Sequence, residues 1–195
     1  MKLFKKDYST YSDEELMKLF QDGNHQAFKE VYVRYESFLV NYFYRKLWSD
    51  REKAEDFTQD IFTKLIKNPA YFDPTRTFKT WLFSVANNMC KNEYKKQAVR
   101  HEGSQEMPEG FDFKSDGVGA DKQVDENNFA EALKAELNNL NEKHRVVFEM
   151  RHYEGLSLNE IAEILEINTG TVKSRLHHAT KHLATKLYVY RKTIA

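Results

Sequence analysis

Lys173 and Arg175 are the side chains best placed to do chemistry, because both can reach guanine edges or phosphate oxygens. Thr171, Ser174, His177, His178 and Lys181 share their side of a helix-forming stretch and can add hydrogen bonds. Thr169, just ahead of them, can bring a phosphate to the exposed N–H groups of a helix N-terminus. That is the chemistry of reading nucleic acid, not of making or breaking bonds. A phosphate-cradling glycine-rich loop, a CxxC or HExxH metal signature and a nucleophile elbow are all missing from the sequence. His178 and His182 stand four apart and can geometrically share a metal, but no third ligand lies beside them on that helix. Neither catalysis nor a metal or other cofactor is expected. The lone Cys90 lies in an apolar helical stretch, so packing is its expected role and no disulfide framework exists. That usage points to a reducing cytoplasm.

The elements that position the basic face are legible around it. Ser157 followed by Glu160 is a capping box that opens a helix, with Ile161, Ala162 and Leu165 on one side. Glu166, Ile167 and Asn168 break the pattern, and the Thr169 hydroxyl can cap a second helix. In that helix Val172, Leu176, Ala179 and Leu183 form the inner stripe, opposite the basic face. Two short helices, a three-residue break and a basic outer face describe a helix-turn-helix, whose second helix enters the major groove. The alternative, an ordinary helical hairpin with a solvated face, leaves the coincidence of capping, turn length and charge unexplained.

Abundant aromatics (14 Phe, 11 Tyr, 2 Trp) with only 7 Gly and 3 Pro, together with long helical periodicities, predict an all-α protein. The net charge is zero, yet it is unevenly spread. Residues 1–100 carry a net +4, residues 101–128 a net −6, and residues 129–195 a net +2. Two basic lobes on either side of an acidic connector suit a nucleic-acid binder. The opening residues lack the apolar run of a secretory leader, and no apolar stretch approaches the roughly 20 residues of a membrane span. No membrane insertion is expected.

Residues 1–100 read as one helical bundle. A first helix opens at the Ser12–Glu15 capping box and ends near Gly23. Asn24 caps a second, with Ala27, Phe28, Val31, Tyr35, Phe38, Leu39 and Tyr42 at helical spacing. Ser49 or Asp50 starts a third, carrying Ala54, Phe57, Ile61, Phe62 and Leu65 inward until Pro69 and Asp73-Pro74 enforce a loop. A fourth runs from about Thr77 through Trp81, Leu82, Val85, Ala86 and Met89 into Lys91, Lys95, Lys96 and Arg100. Between His101 and Asn128 periodicity stops, and four glycines with eight acids describe an exposed, flexible linker. Phe111 and Phe113 within it are unusual for a spacer, and docking on a partner and loose packing both remain open. Helices resume over 129–195, with Asn141 capping one that carries Val146, Val147, Phe148 and Met150.

Both lobes resemble one family. The run LNNLNEKHRVVFEMRHYEGLSLNEIAEILEINTGTVKSRLHHATKHL is similar to the C-terminal domain of small bacterial RNA polymerase sigma factors, the extracytoplasmic-function group of the sigma-70 family. Independently, Ala54-Glu55-Asp56 with Gln59-Asp60-Ile61-Phe62, and Trp81-Leu82-Phe83 with Val85-Ala86 and Asn88, resemble that family's N-terminal domain. Three positions depart from the pattern. Asn141 replaces a usual proline, Glu166 replaces the turn glycine, and His178 stands where arginine is common, which weakens one contact or makes it pH-dependent. Glu166 must then either adopt a left-handed conformation itself or occupy a turn that needs none.

The resemblance implies roles residue by residue. Asp56, Gln59 and Asp60, a polar stripe opposite the core face, would hold the β′ clamp helices of core RNA polymerase, the β flap being a further contact; the alternative is a solvated acidic face. The Asn68–Thr77 loop and the following helix would open and read the −10 promoter element. Tyr71, Phe72, Arg76, Lys79, Trp81 and Asn88 are its candidates, with Lys91, Lys95 and Lys96 on the phosphate backbone. Trp81 also continues the inward stripe, so packing is the role its spacing favours. Thr169, Thr171, Lys173, Ser174, Arg175, His177 and His178 would read the −35 element as duplex. An anti-sigma factor is a plausible further partner. The implied function is a transcription initiation factor, the alternative being a helix-turn-helix repressor or response regulator that binds DNA unaided.

Overall fold

The structure is a computed structural model and describes residues 7–101 and 121–192, in which all regular structure is helical. The chain divides into two compact units, Met1–Gly103 and Ser104–Ala195.

The first unit contains α1 (Asp13–Gln21), α2 (His25–Lys46), α3 (Arg51–Lys67), a three-residue 3-10 turn (Pro69–Tyr71) and α4 (Phe78–His101). Their starts follow the side chains that satisfy free N–H groups. Ser12 and Glu15 close a reciprocal capping box on α1, Asn24 accepts from Gln26 and Ala27 at the start of α2, and Asp50 accepts from Lys53 on α3. The core is aromatic. Tyr42, Phe43, Phe72, Phe78 and Phe83 are fully buried beside Leu16, Leu39, Ile61, Leu65 and Leu82. Rings meet edge to face, Tyr42 on Phe83 at 5.4 Å and Phe43 on Phe57 at 5.4 Å, the geometry that ring quadrupoles favour. Phe38 departs from the expected stripe and is half exposed.

Two long-range ties fix the loop that joins α3 to α4. The Gln21 amide donates to the carbonyls of Pro69 (2.9 Å) and Phe72 (2.7 Å), and Glu14 accepts from the Phe78 N–H at 2.8 Å. Glu14 thereby satisfies a backbone donor at the α4 N-terminus from a helix 64 residues earlier.

The second unit contains α5 (Asp121–Asn139), α6 (Glu142–His152), α7 (Leu158–Leu165), α8 (Thr169–Lys186) and a short 3-10 turn (Tyr188–Lys192). Leu137, Leu140, Ala179 and Leu183 form its buried cluster, with Leu133, Phe148 and Leu187 packed against it. Helix enters both ends of the stretch expected as linker, α4 continuing to His101 and α5 beginning at Asp121. Residues 121–128 offer only Val124 as a large apolar side chain, so no stripe marks that helical start. The glycines at 103, 110, 117 and 119, and Phe111 and Phe113, lie outside the described residues.

Candidate nucleic-acid interface

In the second unit, the chain from α6 to α8 is built to present one face. The Arg151 guanidinium donates to the Leu156 carbonyl at 2.9 Å, and the Leu156 N–H reaches back to Met150, which closes the path into α7. Ser157 and Glu160 form the expected capping box. Ile164, not Leu165, takes the deep position beside Ile161 and Ala162, with Leu165 half buried. Glu166 answers the question its identity raised. It adopts the left-handed conformation, φ 56° and ψ 43°, while its N–H and that of Ile167 bond back into α7. The turn therefore keeps its geometry and bears a side-chain strain that glycine would avoid.

The cap of α8 is Asn168, not Thr169. Asn168 Oδ1 accepts from the Thr171 N–H at 2.7 Å and from the Thr171 hydroxyl at 3.0 Å. Thr169 lies one residue inside the helix, and its hydroxyl donates to Asn159 Oδ1 of α7 at 3.2 Å. The amide reaches the donor three residues on, and asparagine ranks with the best N-caps. Gly170 sits against this cap, since a Cβ there would lie 3.2 Å from Asn168 Oδ1.

Along α8, Val172 and Ala179 are fully buried, whereas Lys173, Ser174, His177 and His178 are exposed and Thr171 and Arg175 half buried. The expected face is thus brought together on one surface. The structure adds His144 of α6, whose ring stacks on His178 at 5.4 Å with planes 17° apart. Burial, then the neighbouring His178 and Arg175 charges, hold the His144 pKa below the ordinary histidine value of 6.5. Sequence spacing could not reveal this pair, because its members lie 34 positions apart on different helices. Next to it a cavity of about 420 Å³ is lined by His144, His178, Lys181, His182 and Lys186 among others. His182 is held by Glu136 at 3.0 Å, which gives it a structural partner on α5.

In the first unit, Tyr71 is 46% exposed and rests edge to face on Trp81 at 5.4 Å. Trp81 is buried and packs against Phe72 at 5.2 Å and Phe78 at 5.7 Å. Phe72 is only 1% exposed, so it offers no ring to a nucleobase in this conformation; it props the platform whose outer surface is Tyr71. Trp81 plays the same supporting part. Asp73 accepts from the Thr75 N–H and hydroxyl, which with Arg76 nearby holds its carboxyl below the usual range and fixes the turn. Arg76, Asn88, Lys91, Lys95 and Lys96 are exposed and Lys79 is half buried. The residues missed by sequence reasoning are Gln21 and Glu14. Their partners are backbone groups in a distant loop, which leave no sequence signal.

On α3, Asp56, Gln59 and Asp60 are all exposed, opposite the buried Ala54, Thr58, Ile61 and Leu65. Seven residues beyond Gln59, and hence on its face, Ile66 is 54% exposed. The outer face of α3 is therefore a polar stripe with one exposed aliphatic side chain at its end. Cys90 is buried as expected, and burial pushes its thiol up to about 12.

Both units match known proteins. Residues 31–100 match the Sigma-70 region 2 family and residues 130–183 the Sigma-70, region 4 family. The ECF RNA polymerase sigma factor SigW of Bacillus subtilis is 30% identical, the match covering 88% of this chain and 94% of that protein. The chain belongs to the extracytoplasmic-function sigma factors of the sigma-70 family. SigL of Mycobacterium tuberculosis, another ECF RNA polymerase sigma factor, is 31% identical over 82% of this chain and 88% of its own. Among solved structures, the Bartonella quintana sigma factor RpoE in complex with the anti-sigma factor NepR superposes with a TM-score of 0.63. The two are 25% identical, over 84% of this chain and 99% of that one. As a member of this family the chain is a transcription initiation factor that binds core RNA polymerase and directs it to promoters. The family consists of non-enzymatic transcription factors. No helix among the described residues is long and apolar enough to cross a membrane.

Proposed function

We propose that this sigma factor divides its work between three surfaces. The outer face of α3, with Asp56, Gln59, Asp60 and Ile66, holds the β′ clamp helices of core polymerase. The observation that carries this reading is the exposure of that whole face, polar with one aliphatic end, on a helix whose opposite side is fully packed. Residues 1–100 act as the polymerase-binding and −10 domain, and residues 129–195 as the −35 domain. The acidic stretch 101–128 connects them.

On the −10 surface, Tyr71 supplies the stacking ring, Arg76, Lys79 and Asn88 add polar contacts, and Lys91, Lys95 and Lys96 neutralise backbone phosphates. On the −35 surface, Lys173 and Arg175 make the base or phosphate contacts from α8, with Thr171, Ser174, His177 and His178 in support. The protein itself breaks no bond; core polymerase makes the RNA, in the cytoplasm. An anti-sigma protein of the kind solved on the Bartonella relative is the regulatory partner proposed here.

Transcription from a genomic fragment library tests this reading. Core polymerase with the full chain is expected to yield start sites that share sequence near −10 and −35. Lys173→Ala with Arg175→Ala should relax the upstream element only. Equal start-site patterns with and without the chain, together with tight unaided binding to duplex, would establish the repressor reading instead.

A further inference from the structure

The turn from α2 into α3 is strained in a way its sequence does not require. Trp48 and Ser49 are consecutive non-glycine residues with positive φ, 55° and 58°. Such conformations are uncommon outside glycine, and for a bulky residue they mark a site held by its surroundings. The backbone around them is well satisfied, with Leu47 N–H bonded to Phe43, Ser49 to Tyr44 and Asp50 to Leu47. The strain is therefore maintained by both flanking helices. It yields little burial, since the indole remains 54% exposed.

The surroundings orient that ring. Tyr94 of α4 meets it edge-on at 5.4 Å and is itself tied to the Lys46 carbonyl. The Lys53 ammonium sits 5.4 Å over the indole and is also paired with Glu93 at 2.6 Å. Lys53 stands one helical row before Asp56 and Asp60 on α3, so the indole lies at the head of the stripe assigned above to core polymerase. Charge selects the class of partner. Arg45 and Lys46 of α2 and Lys91, Lys95 and Lys96 of α4 keep the other sides of the ring basic. On the α3 side, Lys53 is paired with Glu93 and Arg51 with Glu55, so that Asp50, Glu52, Asp56 and Asp60 set the sign there. The acidic α3 side, continuous with Asp56 and Asp60, repels phosphate and favours a basic protein surface. A pre-oriented, half-exposed tryptophan at the edge of a polar face is the kind of anchor that dominates protein interfaces.

We infer that Trp48, presented by its left-handed turn, is an anchor for the same polymerase helices that take the α3 stripe, its indole burying itself against their apolar surface. This rests on the polymerase reading of α3.

Affinity of the full chain for core RNA polymerase tests it, with Trp48→Gly and Asp56→Arg as variants. Glycine suits the positive φ, so Trp48→Gly removes the ring and relieves the strain, and its melting temperature should stay near wild type. Its affinity should fall roughly tenfold or more, and Trp48→Phe should recover part of that loss. A second readout uses 5-fluorotryptophan: the chain has two tryptophans, and the Trp48 resonance, identified by its absence in Trp48→Gly, should shift on adding unlabelled core. If Asp56→Arg loses binding while Trp48→Gly matches wild type, the Trp48 assignment falls and the α3 reading stands. If wild type itself does not bind core, both fall. A Trp48 resonance that moves with promoter DNA alone and not with core would place the ring on nucleic acid and overturn the assignment.

Discussion

His144 on α6 lies stacked on His178 of α8, ring centroids 5.4 Å apart, within the face that bears Lys173 and Arg175. Burial and the two neighbouring groups disfavour the His144 cation, so its pKa sits below 6.5 in the folded chain. The folded state then binds fewer protons than the unfolded state in that range, and the stability involved is present above about pH 6.5 and lost as pH falls through the folded value. Histidine proton NMR should show His144 titrating below the free value. Melting of the second unit should move down between roughly pH 7.5 and 5.5, less so in His144→Gln. An unshifted His144 midpoint would remove the stacked pair as the cause.

Asn168, not Thr169, starts the reading helix. Asn168→Ala should destabilise the second unit by about 1 kcal/mol, the usual loss for an N-cap, and weaken duplex binding. Thr169→Ala removes only the contact to Asn159 and should be close to neutral in melting. Equal effects from both substitutions would contradict this division.

Neighbouring aromatics on the −10 loop should behave oppositely. Tyr71→Ala should leave thermal stability nearly unchanged and reduce binding to single-stranded −10 oligonucleotides in the presence of core, by about 1–3 kcal/mol for one lost stacking contact. Phe72→Ala should cost about 3–5 kcal/mol of stability because it empties a packed site. Urea unfolding beside oligonucleotide titration separates the two. A stable Phe72→Ala protein would place that ring outside the core.

Arg34 ties the start of the chain to α2. Its guanidinium donates to the carbonyls of Tyr8, Ser9 and Tyr11 and pairs with Asp13 at 2.8 Å and Glu30 at 3.0 Å. Asp13 also accepts from the buried Tyr35 hydroxyl, whose pKa rises with burial and that bond. Arg34→Ala should cost about 2–3 kcal/mol, and Arg34→Lys should recover little, since an ammonium cannot fan across five acceptors. Full recovery by lysine would reduce the clamp to a simple charge pair.

The legible parts of this molecule are those in which a single helix carries its own signal. The Ser12 and Ser157 capping boxes, the Asn24 cap and the inner stripes of α3 and α8 follow from local spacing, and they placed the Asp56 and Lys173 faces correctly on exposed surfaces. What stayed hidden depends on pairing across helices. Asn168 outcompetes Thr169 only once Asn159 is seen to take the threonine hydroxyl. Phe72 reads as an exposed loop aromatic until Gln21 is seen to draw that loop inward. The early start of α5 left no apolar periodicity to detect. The strain at Trp48 has no composition signature at all, because a left-handed residue is marked in sequence only when it is glycine.

The most direct measurement is equilibrium binding of the full chain to core RNA polymerase, wild type against Asp56→Arg with Gln59→Ala. The account predicts tight association for wild type, and loss by well over tenfold in the double variant with an unchanged melting temperature. Retained affinity in the folded double variant would contradict the assignment of polymerase binding to the α3 face.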